Sequence, residues 1–197
     1  MQDFWLWFTT GITHITDLTG NDHILFLMVL CVPYSWQNGK QLLWLITAFT
    51  IGHSLSLALS VLGIVKVNSN AVEWLIALSI LILALQNILR FGLNQGASKS
   101  FQYGLTTLFG LIHGLGFSTL LRAMLGKTES LAMPLFSFNL GLEFGQIMIL
   151  AAILAFGMLW TNLLHWPDKF RNLSFSLLAL VLSLAMLIDR FPQLKTT

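Results

Sequence analysis

Long apolar runs separated by short polar connectors make up most of this chain. A helix needs about 20 apolar residues to cross the hydrocarbon core of a bilayer, and five runs reach that length. They cover approximately residues 42–63, 71–91, 104–125, 133–160 and 172–188. The connectors between them hold much of the charge. The pattern therefore predicts five membrane-spanning helices after the first 40 or so residues.

The first apolar segment differs from the others because it is short and follows polar residues. Its uninterrupted run, residues 24–32, is nine residues long and ends at Pro33, which gives only about 14 Å of helix. To span the membrane it must include the polar stretch 11–23. Alternatively, residues 4–15 form a separate amphipathic or half-inserted helix, and the chain breaks near Gly20 before a new helix starts. In either case polar groups enter the membrane, which requires surrounding protein or a water-filled cavity.

The expected fold is an all-α integral membrane protein, a bundle of about six transmembrane helices in a single domain covering residues 1–197. The first helix is polar and, in one of the two interpretations, broken near Gly20. Composition agrees, because 56% of the residues are hydrophobic and 9% are charged, whereas soluble domains carry about 25% charged residues. Lys and Arg divide equally between the two sides of a six-span topology, so the charges give no orientation. The net charge of +2 is spread out, and no nucleic-acid partner is expected.

Several ionisable residues fall inside the predicted spans, where each costs on the order of 3 kcal/mol on insertion scales. His53 is central in the second span and His113 in the fourth, and both have glycine neighbours. In the fifth span the spacing of Asn139, Glu143 and Gln146 puts them on one helix face. Gly141 and Gly145 lie in the same stretch and permit close helix approach.

The first segment adds His14, Asp22 and His23 to this set. On one continuous helix His14 and Asp22 share a face and His23 points away, whereas a break at Gly20 lets Asp22 and His23 turn toward a common site. A single intramembrane histidine often only bonds a neighbouring carbonyl group. Three segments with histidines and two with carboxylates together predict more, because imidazole and carboxylate are ligands for nickel, cobalt, zinc or ferrous iron. The residues thus predict a divalent transition-metal site inside the bundle.

Five blocks in order resemble the HupE/UreJ family of membrane proteins associated with hydrogenase and urease operons. They are HITDLTGNDHILFL, TAFTIGHSLSLALSVLG, VEWLIALSI, LFGLIHGLGFSTLL and FNLGLEFGQ. Asp22-His23, Gly52-His53-Ser54 and Gly116-Phe117-Ser118 are also similar to motifs of the nickel/cobalt permeases. Two departures stand out: His14 precedes Asp22 by eight positions, and Ser118 stands where those permeases carry an acid.

The resemblance implies a transporter rather than an enzyme: a multi-pass permease of the bacterial cytoplasmic membrane. Its expected substrate is nickel, with cobalt, zinc and iron left open. Asp22, His23, His53 and His113 would be the principal ligands. His14 and Glu143 would guide the ion in or support those ligands. Two alternatives stay open: an intramembrane zinc-dependent hydrolase, and a factor that delivers metal to maturing metalloenzymes, which would then be its partners.

Overall fold

Helices account for nearly all of the regular structure in the computed structural model, which describes residues 2–17, 22–90, 99–125, 131–165 and 167–195. Within these ranges there are seven α-helices and no strands. The α-helices are α1 (Gln2–Thr16), α2 (Asp22–Cys31), α3 (Gly39–Val61), α4 (Ser69–Leu89), α5 (Lys99–Leu125), α6 (Ala132–Leu164) and α7 (Asp168–Arg190). Short 3-10 turns cover Trp36–Asn38 and Pro192–Lys195.

Helices α3 to α7 are each long and apolar enough to cross a membrane. They coincide with the five predicted runs, and their outer faces keep large apolar side chains exposed. Ile51, for example, is 60% exposed and Val181 is 62% exposed. Such faces are stable only against lipid, because an exposed apolar surface of this extent is unfavourable in water. The prediction of an all-α, multi-pass membrane protein is confirmed.

The polar first segment consists of two helices and not one. The 15-residue α1 ends at Thr16 and the 10-residue α2 begins at Asp22, while Gly20 itself lies outside the described residues. The alternative with a broken first segment is therefore the correct one. All residues of α2 except Ile24 and Met28 are buried, so the polar start of this short helix is surrounded by protein. That burial meets the condition under which polar groups are tolerated at membrane depth.

Glycines bring α3 and α5 into backbone contact. A Cβ atom at Gly52 would collide with the carbonyl oxygen of Thr107, and one at Gly110 with that of Phe49. At Gly114 it would meet the carbonyl oxygen of His53. Small residues are the usual means of close helix packing in lipid, where van der Waals contact replaces the hydrophobic effect. This close approach sets His53 and His113 on adjoining backbones.

A second glycine contact joins α1 to α6. A Cβ atom at Gly11 would collide with the carbonyl oxygen of Phe138, and one at Gly141 with that of Phe8. At Gly145 it would meet the side chain of Ile15. The close approach predicted at Gly141 and Gly145 is therefore confirmed. Because α1 is held against α6 over this length, His14 has a fixed position near the centre of the bundle.

Replacing Gly110 by alanine should destabilise the bundle, because the new methyl group meets the rigid backbone of α3. We expect a loss of about 1–3 kcal/mol, the usual cost of overpacking, measured as thermal unfolding in detergent. Gly104→Ala on the same helix is the matched control, since nothing lies within 4 Å of the position that its Cβ would occupy. Equal stability of the two variants would contradict the close contact between α3 and α5.

Candidate metal centre

Three histidines from three separate helices converge inside the bundle. His14 of α1, His23 of α2 and His53 of α3 each present a ring nitrogen, and these three atoms lie within 4.8 Å of one another. Nitrogens bound at 2.0–2.1 Å to one metal ion can be at most about 4.2 Å apart. Small side-chain rotations would therefore bring all three onto a single ion. Among the described residues, these three histidines, called the tripod below, have a geometry that fits a transition-metal cation.

His113 of α5 lies beside this tripod as a fourth imidazole. Its ring centroid is 5.0 Å from that of His23. The Nε2 atom of His113 is 3.4 Å from the hydroxyl oxygen of Ser79, whereas its Nδ1 atom has no partner among the described residues. The structure thus brings His113 next to the converging group without making it part of the closest three.

The buried ring nitrogens of these histidines are largely unpartnered. In the described part of the chain, no hydrogen-bond partner is found for Nε2 of His14, Nε2 of His23 or either nitrogen of His53. A buried polar atom without a partner costs about 1–3 kcal/mol, and native structures contain few such atoms. Histidines that only stabilised the fold would each bond a neighbour. Here unpartnered ring nitrogens lie close together, an arrangement that a bound cation would satisfy.

Aromatic rings surround the histidine cluster, meaning His14, His23, His53 and His113. The ring centroid of Phe117 is 4.0 Å from that of His14, and those of Phe26 and Phe49 are each 5.2 Å from that of His113. These rings and the fully buried Phe138 leave little room for bulk water. The surroundings of the ring nitrogens are therefore largely apolar.

Asp22, predicted as a principal ligand, is engaged elsewhere in this structure. One of its carboxylate oxygens lies 2.9 Å from a guanidinium nitrogen of Arg190 at the end of α7. Arg190 also donates a hydrogen bond of 2.8 Å to the carbonyl oxygen of Glu73 in α4. The ion pair therefore fixes the start of α2, and with it His23, against two spanning helices. Direct ligation by Asp22 stays a prediction.

The three polar residues predicted to share one face of α6 all turn toward α3. The hydroxyl group of Thr47 donates to the carboxylate of Glu143 over 2.7 Å. The hydroxyl group of Thr50 donates to the side-chain oxygen of Gln146 over 2.8 Å. The Asn139 side chain lies beside the His53 ring without meeting hydrogen-bond geometry. The shared face is confirmed, and Glu143 sits along it as a half-buried group outside the tripod.

Sequence reasoning missed Arg190 and the aromatic surroundings. Arg190 follows the last apolar run, where a basic residue is usually an interfacial anchor, so nothing in the pattern linked it to Asp22. Phenylalanine is frequent in this chain, with 15 residues, and its spacing did not separate ring contacts with histidine from contacts with lipid. Both features depend on helix packing, which only the structure supplies.

A cavity of about 830 Å³ lies between α2, α6 and α7, away from the cluster. Its walls are mainly apolar, with Arg171 and Asp168 among the polar residues, and none of the four clustered histidines lines it. The cavity therefore does not supply an opening onto the converging imidazoles.

The family model described as HupE / UreJ protein matches residues 1–190. No curated protein matches the chain, and no solved structure matches it.

Proposed function

The chain belongs to the HupE/UreJ family, a family of nickel/cobalt accessory membrane proteins, and from this premise we propose that it is a permease for a divalent transition metal. The ion would cross the bilayer through the histidine cluster. We further propose that the membrane is the bacterial cytoplasmic membrane. The chain carries no Gly-x4-Gly-Lys-Ser/Thr sequence, so flux would follow the membrane potential or an ion gradient.

The observation that carries this proposal is the convergence of His14, His23 and His53 with unpartnered ring nitrogens. Ionisable side chains inside a membrane commonly mark the path of an ion or a substrate. Three neutral imidazoles bind a divalent cation through their lone pairs and add no compensating negative charge. The bound ion therefore keeps its full charge in a water-poor site.

Nickel is the proposed substrate among the metals that this donor set accepts. Imidazole nitrogen suits nickel, cobalt, zinc and iron, and affinity at such sites rises from iron through cobalt to nickel. The sole cysteine, Cys31, is not part of the converging group, so no thiolate would favour cuprous ion or retain zinc. The association of the family with nickel-dependent enzymes adds to this preference.

The structure agrees better with a permease than with a hydrolase or a delivery factor. A zinc-dependent hydrolase needs a general base within reach of a metal-bound water. However, Asp22 is paired with Arg190 and Glu143 accepts a hydrogen bond from Thr47. A delivery factor needs a surface for a soluble partner, and the connectors between the spans are short. A polar site between spanning helices is the usual location of transport sites.

Flux measured on the purified protein tests the proposal. Proteoliposomes containing the protein should accumulate radiolabelled nickel faster than protein-free liposomes of the same lipid, and unlabelled cobalt should compete. Binding of nickel without accumulation would instead favour the delivery factor. Failure both to bind and to accumulate any divalent transition metal would contradict a metal-related site altogether.

A further inference from the structure

Two side-chain hydrogen bonds cross from α3 to α6 beside the histidine cluster. They join Thr47 to Glu143 and Thr50 to Gln146, and on each helix the two positions are three residues apart, so they share a face. Thr50 and Gln146 are buried, at 7% and 0% exposure. Polar side chains are expensive in a bilayer interior, and where they persist they commonly mark a function.

Two atoms of this region lack partners among the described residues. They are the side-chain nitrogen of Gln146 and the side-chain oxygen of Asn139. Gln146 uses its oxygen to accept from Thr50, and Asn139 uses its nitrogen to donate to the carbonyl oxygen of Leu135. If these two amides had only a structural role, the other polar atom of each side chain would be expected to have a partner too. Asn139 instead keeps a carbonyl oxygen that a cation or its bound water would satisfy, and Gln146 keeps an N–H donor that a free water would satisfy.

The polar residues of α3 form a row that leads away from the histidine cluster, and each has a polar neighbour on α6. Asn139 lies beside His53, and on α3 the row continues from His53 past Thr50 to Thr47. Those six residues correspond to about 9 Å along the helix. The row points toward the membrane side on which α3 begins, and Thr47 at its far end donates to the half-buried carboxylate of Glu143.

The donor chemistry changes along this row from nitrogen to oxygen. An ion held by several imidazoles must leave them, and conduction requires neighbouring sites that are individually weak enough to release it. Hydroxyl, amide and carboxylate oxygens are harder ligands, which suit a partly hydrated divalent ion and hold nickel less firmly than imidazole does. Glu143 would add the negative charge that the histidines lack.

We propose that Asn139, Thr50, Gln146, Thr47 and Glu143 form a second, oxygen-donor station for the same cation. The ion would pass through it between the histidine cluster and the membrane side on which α3 begins. This inference rests on the proposed permease function. It gives these residues a role in the movement of the ion through the protein, whereas equilibrium binding of the ion belongs to the histidines.

The test compares nickel binding with nickel flux in the same variants. Thr50→Val and Gln146→Leu keep the side-chain size and remove the oxygen donors, and Glu143→Gln removes the charge. Each should lower nickel flux in proteoliposomes by about tenfold or more, which corresponds to a barrier higher by about 1.4 kcal/mol. Equilibrium binding of nickel by the purified variants should stay within about twofold of the original protein. Thr50→Ser, which keeps the hydroxyl group, should recover most of the flux lost in Thr50→Val.

Ser137→Ala is the matched control, because Ser137 is also buried on α6 but donates only to the carbonyl oxygen of Met133 within its own helix. Its flux should equal that of the original protein. Unchanged flux in Thr50→Val and Gln146→Leu would overturn the oxygen-donor station and leave the permease intact. Loss of binding together with flux in these correctly folded variants would also overturn it, because the row would then be part of the histidine site. Binding without any flux in the original protein would overturn both proposals.

Discussion

Replacing His53 by alanine is expected to reduce nickel uptake to the background of protein-free liposomes. His53 is a fully buried member of the converging group, and both of its ring nitrogens lack partners among the described residues. Removing a residue that hydrogen-bonds to a metal ligand typically lowers metal affinity 10–100-fold. Removing a ligand itself should therefore lower nickel affinity by at least about 100-fold. Nickel binding by the purified variant, measured by calorimetry, and uptake in proteoliposomes both check this.

His165→Asn is the matched control for His53→Ala. His165 follows α6, is exposed and has a left-handed backbone with φ of 51°, a conformation that asparagine adopts readily. It should bind and transport nickel as the original protein does. Full nickel uptake by a correctly folded His53→Ala protein would remove His53 from the metal site.

Replacing Arg190 by glutamine is expected to impair nickel uptake as strongly as Asp22→Asn does. Arg190 cannot bind a cation, but its ion pair with Asp22 anchors the start of α2 and thereby positions His23. The two side chains are 18% and 12% exposed. Breaking the pair should therefore cost about 1–3 kcal/mol, between the values for surface and for buried pairs. Thermal unfolding in detergent and nickel binding measure the two effects.

The double variant Asp22→Asn/Arg190→Gln distinguishes an anchor from a ligand. If Asp22 acts through Arg190, the double variant should be no worse than the worse single variant, because both remove one shared interaction. Arg171→Gln serves as the control: it breaks the pair with Asp168 on the same helix, away from the cluster, and should leave uptake unchanged. Full uptake in Arg190→Gln with none in Asp22→Asn would show that Asp22 binds the ion directly.

The spanning helices were predictable because bilayer thickness sets the length of an apolar run. The run 71–91 corresponds to α4, Ser69–Leu89, and the predicted helix end is displaced by only a few residues. The run 133–160 ended at the polar residues Thr161 and Asn162, yet α6 continues to Leu164. The reason is local: the Thr161 hydroxyl group donates to the carbonyl oxygen of Gly157 one turn earlier, so a polar side chain satisfies itself within the helix.

The first segment and the site were predictable only in part. Residue pattern alone could not choose between one polar helix and two, because that choice depends on whether other helices enclose Asp22 and His23. From the sequence, the histidines stood out because ionisable groups are costly inside a membrane. The sequence also placed Asp22 beside His23 as a ligand, and that part stays a prediction. Residues adjacent on a helix point about 100° apart; His23 faces the cluster, and Asp22 faces Arg190, 168 residues away in the chain.

X-ray absorption at the nickel edge, on purified protein loaded with one equivalent of nickel, tests the central claim most directly. The claim is that His14, His23 and His53 close onto one cation. It predicts a first shell containing about three nitrogen ligands at roughly 2.0–2.1 Å, with the outer scattering pattern of imidazole rings, and a weaker imidazole signal in His53→Ala. A first shell of oxygen ligands without imidazole scattering, identical in the original protein and in His53→Ala, would contradict it.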